Sequence, residues 1–347
     1  MFKKKFIPYY IALELTLKCN MRCIHCGSSA GYNRENELST DEWTQVCKDA
    51  SKIGCKLVTF LGGEPFLRKD WFEIAQNIKD FGMNVSIITN GYAMDDKLAS
   101  QLKEIKPYTV AVSIDGAKPE THDSIRQVKG SYDKCLNALN LLKENDIPAS
   151  VVTTVHKKNI KELPEMRSFL LNKKIAWQIQ IADTMGRFPK ELHVTPKEFY
   201  SLGLFIASTR SQYAVDEMPV TGAHCIGYNS NLLPNVTISP KWMGCQAGVS
   251  VLGIQSNGSL KGCLSLSDEF VAGNVKEQPL TEIWNDSNAF NFNRNFTIDS
   301  LKGECINCKY GKKCRGGCMG VSIAETGAPH GAPYCFYLYE KKTNLTR

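Results

Sequence analysis

Three cysteines near the start of the chain, Cys19, Cys23 and Cys26, are spaced as C-x3-C-x2-C. Thiolates are preferred ligands of soft metals, and a cubane iron–sulfur cluster has four irons that each need a thiolate or an equivalent ligand. A short loop with three thiols therefore holds three irons and leaves the fourth open to a small molecule with its own donor atoms. The spacing predicts a soft-metal site with room for one further ligand.

The first half of the chain alternates between strand and helix patterns. Strands are predicted over Tyr9–Leu17, Leu57–Leu61, Asn84–Thr89, Tyr108–Ile114, Ala149–Val155 and Ile175–Ile181. Helices are predicted over Asp41–Ile53 with Thr40 as its cap, Asp70–Phe81, Met94–Lys103, Tyr132–Asn145 and Ile160–Leu171. Such alternation is typical of parallel strands joined by right-handed crossovers, with functional side chains at the C-terminal ends of the strands. Six such units are too few for a closed eight-stranded barrel.

Beyond about residue 215 the helical periodicity fades, and Gly, Asn, Ser and Cys dominate as far as Cys335. One clear helix pattern remains in this half, over Leu280–Phe290, with Pro279 before it. We therefore expect two domains, an α/β domain over residues 1–215 and a loop-rich, cysteine-dense domain over residues 216–347.

A second set of cysteines lies in the cysteine-dense half. Cys245 is followed by twelve residues, Gly258, four residues and Cys263. The chain then continues with Cys305-x2-Cys308-x5-Cys314-x3-Cys318, and sixteen further residues precede Cys335. Paired C-x2-C elements also bind zinc, so zinc and iron–sulfur clusters are both open at this point.

With both cysteine sets, the chain resembles the radical S-adenosylmethionine (SAM) enzymes with a C-terminal SPASM domain, most of all the maturases of ribosomally made peptides. The resemblance implies a partial (β/α)6 barrel followed by a SPASM domain with two auxiliary clusters, and so three [4Fe–4S] clusters with SAM on the open iron of the first. In that family the first cluster cleaves SAM to a 5′-deoxyadenosyl radical, which removes a hydrogen atom from the substrate. Three, four and four cysteines suit one open and two closed cubanes better than zinc.

The resemblance assigns the amino group of SAM to Gly62-Gly63-Glu64-Pro65, which follows the second predicted strand. Two glycines let a backbone approach a ligand closely, and a carboxylate accepts from an ammonium. Outside this context a Gly-Gly pair is usually a turn.

Other SAM contacts implied by the resemblance lie at the ends of the next strands. Ser113 or Asp115 would bond the ribose hydroxyls or the methionine moiety, and Arg126 would pair with the carboxylate. Asn90 is a weaker candidate, and His25 occupies a place near the adenine in relatives. The structural alternatives are a cap or turn for Asp115 and Asn90, a surface salt bridge for Arg126, and packing over the cluster for His25.

The resemblance also divides the second cysteine set between two clusters. The outer cluster would be closed by Cys305, Cys308, Cys314 and Cys335. The inner cluster would be held by Cys245, Cys263 and Cys318, with Cys225 as the candidate fourth ligand. Two alternatives remain for Cys225, a buried free cysteine or a hydrogen-atom donor to a substrate radical. The remaining thiols, Cys47, Cys55 and Cys135, are interpreted as core residues.

Composition limits the partners and the compartment. The 347 residues are 43% hydrophobic, enough for a barrel-sized core and a second module. The net charge of +7 comes from interleaved charges rather than basic blocks, so we expect no nucleic-acid partner. No run of about 18 apolar residues is present, so we expect no membrane span. Fourteen cysteines in a chain of this size fit a reducing cytoplasm.

The resemblance favours an enzyme that abstracts hydrogen from a peptide or protein to install a crosslink, thioether, epimer or oxidised side chain. The alternatives are a sulfatase-maturating (formylglycine-forming) enzyme, a tetrapyrrole side-chain decarboxylase and, last, a non-catalytic iron–sulfur or zinc protein. Only eighteen residues precede Cys19, too few for an N-terminal leader-binding domain, so either a separate leader-binding protein or the barrel mouth would engage the substrate. A reductase, flavodoxin or ferredoxin would supply electrons.

Overall fold

The computed structural model of the chain describes residues 6–226, 228–239 and 241–345. Within these ranges a single sheet contains ten strands. In chain order they are β1 (Tyr10–Thr16), β2 (Leu57–Gly62), β3 (Asn84–Thr89), β4 (Thr109–Ser113), β5 (Ala149–Val155), β6 (Ala176–Ile181), β7 (Val220–Gly222), β8 (Val251–Ile254), β9 (Ser259–Lys261) and β10 (Val271–Asn274).

The strand order in the sheet is β10-β9-β8-β1-β2-β3-β4-β5-β6-β7. All neighbours from β8 to β7 pair in parallel, whereas β8–β9 and β9–β10 are antiparallel. The six predicted strands are therefore confirmed as consecutive parallel neighbours. Because parallel strands point the same way, their C-terminal ends lie along one edge of the sheet, which is where the loops that carry the candidate site begin.

Twelve α-helices fall in the described part of the chain. They are α1 (Thr40–Lys52), α2 (Trp71–Asp80), α3 (Asp96–Ile105), α4 (Pro119–Arg126), α5 (Ser131–Glu144), α6 (Leu163–Leu170), α7 (Pro196–Gln212), α8 (Leu280–Asn285), α9 (Asn291–Arg294), α10 (Gly311–Cys314), α11 (Met319–Thr326) and α12 (Phe336–Thr343). Short 3-10 turns occur at Pro65–Leu67, Ile160–Glu162, Lys190–Leu192, Asp268–Phe270, Ile298–Ser300 and Gly303–Cys305.

The N-terminus of α1 differs from the prediction. Ser39, rather than Thr40, is the cap: its side chain accepts from the Glu42 N–H, and the Glu42 side chain accepts from the Ser39 N–H, which makes a capping box. Thr40 is the first helical residue, and its hydroxyl donates to Asp70 at 2.6 Å. Thr40 therefore ties α1 to the start of α2 instead of capping its own helix.

The helices of the second half were under-predicted. The predicted helix over Leu280–Phe290 ends at Asn285, and Phe290 has a left-handed backbone with φ 59°. Four helices follow α8 in the described part of the chain, α9 to α12, although the periodicity predicted no helix after residue 290. In α11 the residues Met319–Ile323 are all buried, and a helix buried on every side has no polar face to reveal its period.

The core lies against the sheet. Cys47, Cys55 and Cys135 are 1%, 2% and 0% exposed, which confirms their interpretation as core residues. All fourteen cysteines lie in the described ranges, and all are free thiols. The domain boundary near residue 215 stays a prediction, since β7 and β8 come after it and extend the same sheet on either side. Among the residues described, no helix combines the length and the apolar character needed to cross a membrane.

Candidate active site and metal centres

The cysteine loop leaves the C-terminal end of β1 and packs against the end of β2. The N–H groups of Gly63 and Glu64 donate to the carbonyls of Thr16 and Lys18, each at 2.8 Å. A Cβ on Gly63 would lie 2.1 Å from the Lys18 carbonyl oxygen, a distance that excludes any side chain. The close approach expected of this glycine is therefore made to the cysteine loop itself, which fixes the start of that loop.

Each thiol of the loop has a polar neighbour. Asn90 Nδ2 lies 3.9 Å from the Cys19 sulfur, and Arg126 Nη1 lies 3.8 Å from the Cys23 sulfur. The N–H of Ala30 donates to the Cys26 sulfur at 3.4 Å. Two residues predicted as SAM contacts are thus brought to the cysteine loop, where hydrogen bonds to cluster sulfurs tune the reduction potential.

Asp115 and Arg126 are paired with each other. The Arg126 Nη2–Asp115 Oδ2 distance is 2.6 Å, and the two residues are 8% and 0% exposed, so the pair is buried rather than a surface salt bridge. Asp115 Oδ1 also accepts from the Thr154 N–H, and His25 Nε2 lies 3.3 Å from Oδ2. Although burial acts to raise it, the pKa of Asp115 is lowered by Arg126 and His25. Asp115 therefore holds Arg126 in place beside Cys23.

Four buried polar atoms in this region have no hydrogen-bond partner in the described structure: His25 Nδ1, Arg126 Nε, His156 Nε2 and Asp115 Oδ2, the last of which is in an ion pair with Arg126. The rings of His25 and His156 are 5.8 Å apart. His156 Nδ1 accepts from the Lys158 N–H and burial lowers the pKa of His156 to about 4, so the ring is neutral and Nε2 carries the proton. In the neutral His25 ring the proton lies on Nε2, which faces Asp115, so Nδ1 is an acceptor, whereas Arg126 Nε and His156 Nε2 are donors. Buried polar atoms without a partner cost free energy unless a ligand satisfies them, so this group fits a polar ligand such as SAM.

Glu64 is fully buried and already makes three hydrogen bonds. It accepts from the Thr89 hydroxyl at 2.8 Å, the Asn90 N–H at 2.8 Å and the Phe66 N–H at 3.3 Å. Burial raises the pKa of Glu64 to about 7, so a cation that approached it would favour the ionised form. One of these bonds falls on Oε2, which leaves that oxygen able to accept another. The geometry thus gives Glu64 a structural role and leaves it able to accept from an ammonium.

Ser113 is the last residue of β4 and is half-buried. Its carbonyl oxygen lies 3.7 Å from the Cys135 sulfur, and no hydrogen bond of its hydroxyl occurs within the described ranges. Its proposed contact with SAM stays a prediction.

A loop that follows β6 closes over the cysteine loop, and no sequence pattern indicated it. Arg187 Nη1 donates to the Ala30 carbonyl at 2.8 Å and Nε to the Cys23 carbonyl at 3.3 Å, while its N–H donates to the Cys26 carbonyl at 3.1 Å. The preceding residue, Gly186, has φ 59°, and a Cβ there would lie 2.3 Å from the Cys26 carbonyl oxygen. Arg187 and Gly186 therefore clamp the cysteine loop from the opposite side to Gly63.

Removal of the Arg187 side chain should loosen this clamp. We expect Arg187→Ala to lower the free energy of unfolding of the metal-free protein by about 2 kcal/mol, because two charged hydrogen bonds to carbonyls are lost. Chemical denaturation measures this change, and the rate of iron loss to a chelator from the loaded protein should rise with it. Lys190→Ala changes an exposed residue of the same loop and should alter neither quantity. Equal effects of the two changes would contradict the clamp.

Four cysteines predicted as outer-cluster ligands line one cavity. Cys305, Cys308, Cys314 and Cys335 line this cavity together with Tyr228 and Tyr337. The Trp242 Nε1–H donates to the Cys314 carbonyl at 3.2 Å and fixes one wall. The structure brings together the four thiols that the spacing grouped.

The cysteines predicted for the inner cluster also lie together. A hydrogen bond with Cys318 lowers the pKa of Cys245 to about 7, although burial opposes it. For Cys318 the same bond, burial and the nearby Cys225 thiol raise the pKa. Burial is the main cause of the raised pKa of Cys263, and Cys245 adds to it. Cys225 thus lies beside the predicted inner set and also packs against buried apolar residues, so its three predicted roles, ligand, hydrogen donor and packing residue, stay open.

Within the described ranges, no three His, Cys, Asp or Glu side chains are arranged to hold a single metal ion. A cubane places each ligand on a different iron, so its thiols need not converge on one point. The donor sets, three thiols in the cysteine loop and thiols alone in the second half, fit iron–sulfur clusters.

Comparison with known proteins agrees with this arrangement. Residues 13–170 match the model of the radical SAM superfamily, and residues 245–309 match the SPASM model of an iron–sulfur cluster-binding domain. The AdoMet-dependent heme synthase of Methanosarcina barkeri is 31% identical over 96% of this chain and 98% of its own length. The PqqA peptide cyclase of Rhizobium meliloti is 28% identical over 92% and 84%, and the mycofactocin maturase MftC of Mycolicibacterium smegmatis is 27% identical over 94% and 81%.

Two solved structures share the fold. SuiB of Streptococcus suis, bound to the precursor peptide SuiA, superposes with a TM-score of 0.74 at 18% identity, over 93% of this chain and 74% of that one. The enzyme anSMEcpe with bound AdoMet superposes with a TM-score of 0.71 at 20% identity, over 97% and 98%. The predicted fold, a partial barrel followed by a SPASM domain, is confirmed.

Proposed function

The chain belongs to the radical SAM superfamily and carries a SPASM iron–sulfur domain, and from that membership we propose an enzyme that abstracts a hydrogen atom from a peptide or protein to modify it. The superfamily implies a [4Fe–4S] cluster and SAM, and the SPASM domain implies further iron–sulfur clusters. We propose three clusters in all, one for each group of thiols described above. The modification itself is a crosslink, thioether, epimer or oxidised side chain.

The first cluster would be held by Cys19, Cys23 and Cys26. When bound, it and SAM together supply a one-electron cleavage that produces a hydrogen-abstracting radical. The chain positions this chemistry through groups that hold the loop from both sides, Gly63 from β2 and Arg187 from the loop after β6. A loop fixed on both sides keeps its thiols in one arrangement, which lowers the cost of ordering them around a metal.

The groups for SAM surround the same loop. Arg126 is fixed by Asp115 and keeps an unpaired Nε donor, which suits a carboxylate. Glu64 keeps a free acceptor position on Oε2, which suits the ammonium. His156 Nε2 is a further neutral donor. The unpaired, buried donors beside the three thiols are the observation on which the assignment of SAM to this site rests.

Replacing Glu64 tests this assignment. Glu64→Gln keeps the shape of the side chain but removes its charge, so we expect SAM affinity to fall by about ten- to a hundredfold, the equivalent of roughly 1.5–3 kcal/mol for a charge-assisted hydrogen bond. Equilibrium binding of SAM to the loaded protein measures the change. Glu162→Gln is the matched control, since the Glu162 carboxylate likewise accepts from a backbone N–H, that of Ala117, and from a hydroxyl, that of Thr121. This control should leave SAM affinity unchanged. Unchanged affinity in Glu64→Gln would leave Glu64 a purely structural residue.

Two acids at the barrel mouth support a peptide substrate. Asp183 follows β6 in the loop that Arg187 ties to the cysteine loop, and burial and the neighbouring Glu325 raise its pKa to about 6. Glu325 accepts from the Thr184 N–H and hydroxyl. His193 Nε2 lies 3.2 Å from Glu325 Oε1, so part of the acidic charge has a histidine neighbour. A substrate with several carboxylates would still add like charge beside these two half-buried acids, which is unfavourable. An uncharged peptide backbone would not.

The second candidate is decarboxylation of a tetrapyrrole side chain. It is supported by the heme synthase relative, which matches this chain over nearly its whole length, as does the Fe-coproporphyrin III synthase of the same organism over 82% of its own length at 30% identity. The peptide-modifying relatives match over similar shares of this chain at slightly lower identity. Sequence similarity alone therefore does not separate the two substrates.

A direct assay separates them. The loaded, reduced enzyme is incubated anaerobically with SAM and either a candidate precursor peptide, chosen from any small open reading frame beside the gene, or iron coproporphyrin III. We expect 5′-deoxyadenosine and a change of mass in the peptide, with no change in the tetrapyrrole. Loss of carbon dioxide from the tetrapyrrole alone would replace the first proposal with the second. Conversion of a cysteine or serine to formylglycine, in that peptide or in a sulfatase-derived one, would assign the sulfatase-maturating activity.

Two partners complete the proposal. A separate leader-binding protein, or the barrel mouth alone, presents the peptide. A reductase, flavodoxin or ferredoxin supplies the electrons that the clusters need for turnover.

A further inference from the structure

The cavity formed by the outer four cysteines lies under a strongly basic surface. Between residues 302 and 315 the chain has four lysines and one arginine but a single acid, Glu304. Glu304 is itself neutralised by Lys342 at 3.0 Å, a contact that also places the end of α12 beside this segment. We call the exposed lysines of this region the basic face, which consists of Lys241, Lys302, Lys309, Lys312, Lys313 and Lys341.

The basic face is continuous with the wall of the cysteine cavity. Lys241 and Lys313 come from distant parts of the chain and line one cleft. Tyr228 and Asn229 line that cleft and also line the cavity of the four cysteines. A molecule seated in the cleft would therefore contact two residues that also line the cavity of the four thiols.

An exposed apolar residue lies in the same segment as these lysines. Ile306 lies between Cys305 and Cys308 and is 57% exposed. Lys309 donates to Asn231 Oδ1 at 2.8 Å and covers the Tyr337 ring, which also lines the cysteine cavity. Protein–protein contact surfaces combine apolar residues with a polar, solvent-accessible rim, so an exposed isoleucine among charged residues fits such a surface.

The chemistry of the four thiols limits what such a contact can do. Four cysteines occupy all four irons of a cubane, so no iron is open to a substrate. Its remaining chemistry is the transfer of electrons. A protein that docks here, unlike one at the barrel mouth, can therefore exchange only an electron with the site beneath it.

We propose that the basic face is the docking surface for an acidic one-electron carrier protein with a flavin or iron–sulfur centre. The inference rests on the proposed function, because it needs a cluster on Cys305, Cys308, Cys314 and Cys335. In the transfer the carrier loses one electron and the outer cluster gains one, and no atom or proton has to move. Opposite charges steer such partners together and raise the association rate, an effect that salt screens.

The test uses the reconstituted enzyme and a reduced flavodoxin, an acidic flavin protein, as the probe. The variant Lys241→Glu/Lys312→Glu/Lys313→Glu reverses three exposed lysines for which the described structure shows no ion pair. We expect reduction of the clusters by the flavodoxin, followed by stopped-flow absorbance, to slow by at least about tenfold at low salt. The rate in the parent should fall as salt rises from about 50 to 500 mM, and that dependence should be much weaker in the variant. Reduction by dithionite, which needs no docking, should be unchanged.

The matched control is Lys48→Glu/Lys97→Glu/Lys103→Glu, which makes the same change of net charge on α1 and α3 with three exposed residues. It should leave the flavodoxin rate near that of the parent. Equal flavodoxin rates in the two triple variants would overturn the proposal. It would also be overturned if the charge reversal on the basic face abolished binding of an acidic peptide but left reduction by flavodoxin unaffected. Ile306→Ser should weaken the complex at all salt concentrations, since it removes the apolar contact.

Iron content separates this proposal from the proposed function. If the parent lacks a cluster on the outer four cysteines, the iron assay and the absorbance show it before any carrier is added, and the proposed cluster set fails with the docking surface. If the clusters are complete and the charge reversal has no effect, the docking surface alone fails.

Discussion

Replacing Cys19, Cys23 and Cys26 together with alanine should remove about four of about twelve irons from the anaerobically reconstituted protein and abolish SAM cleavage. The auxiliary clusters should survive, since their thiols lie in separate groups beyond residue 225. Iron and sulfide analysis measures the first effect, and chromatography of 5′-deoxyadenosine measures the second. The loss of cleavage should be complete, because without the open iron there is no site for SAM to be reduced.

A cysteine that the structure places in the core provides the control. Cys47→Ala removes a buried thiol of α1 with 1% exposure, and it should change neither the iron content nor SAM cleavage. An intact protein with about four irons and bound zinc would contradict the auxiliary clusters, whereas a triple variant that still held about twelve irons would contradict the assignment of the loop.

The strands of the parallel sheet were predictable because they are buried on both faces, and their sequences are therefore mostly apolar. β3 and β5 begin and end at the predicted residues, since a buried parallel strand reads as a continuous apolar run that ends at Asn or a turn. The helix α4 was missed because its sequence, Pro119–Arg126, is mostly polar, with only His122, Ile125 and Arg126 buried. The helix is held in place by the ion pair between Arg126, its last residue, and Asp115, which follows β4. A contact between separate segments leaves no periodic pattern in the sequence of the helix itself.

The cysteine ligands of the candidate site were predictable, because cluster ligands on a short loop must have a defined spacing along the chain. Cysteine ligands must be grouped along the chain to hold a cluster from short loops, so they leave a pattern. Arg187 and His156 leave none, because each acts through atoms that come near it only in the folded chain: backbone carbonyls of the cysteine loop for Arg187 and the His25 ring for His156. The Gly62-Gly63 pair was recognised, but its contact with Lys18 could not be read from the sequence.

Cys225 lies near both the inner thiols and the loop after β6. The Cys225 thiol helps to raise the pKa of Cys318, and Asp183 adds to the rise in the pKa of Cys225, which burial raises to about 12. The Cys225 side chain also packs against two clusters of buried apolar residues. The roles of cluster ligand, hydrogen donor and packing residue therefore all stay open, and we expect the first.

If Cys225 is the fourth ligand, Cys225→Ala should open one coordination site and change the electron paramagnetic resonance spectrum of an auxiliary cluster, and its iron content should fall by up to about four. The first cluster should be untouched, so SAM cleavage without substrate should continue.

If the thiol is a hydrogen donor, the spectra should match those of the parent while the substrate radical is trapped or quenched to a different product. Cys55→Ala, which removes a buried thiol between α1 and β2, should change neither spectra nor product. A mutant spectrum and iron content identical to the parent would end the ligand assignment, and the product would then decide between a donor and simple packing. The cluster signal must be recorded before substrate is added, because loss of a donor and loss of a ligand would both stop turnover. Only the cluster signal separates these two causes.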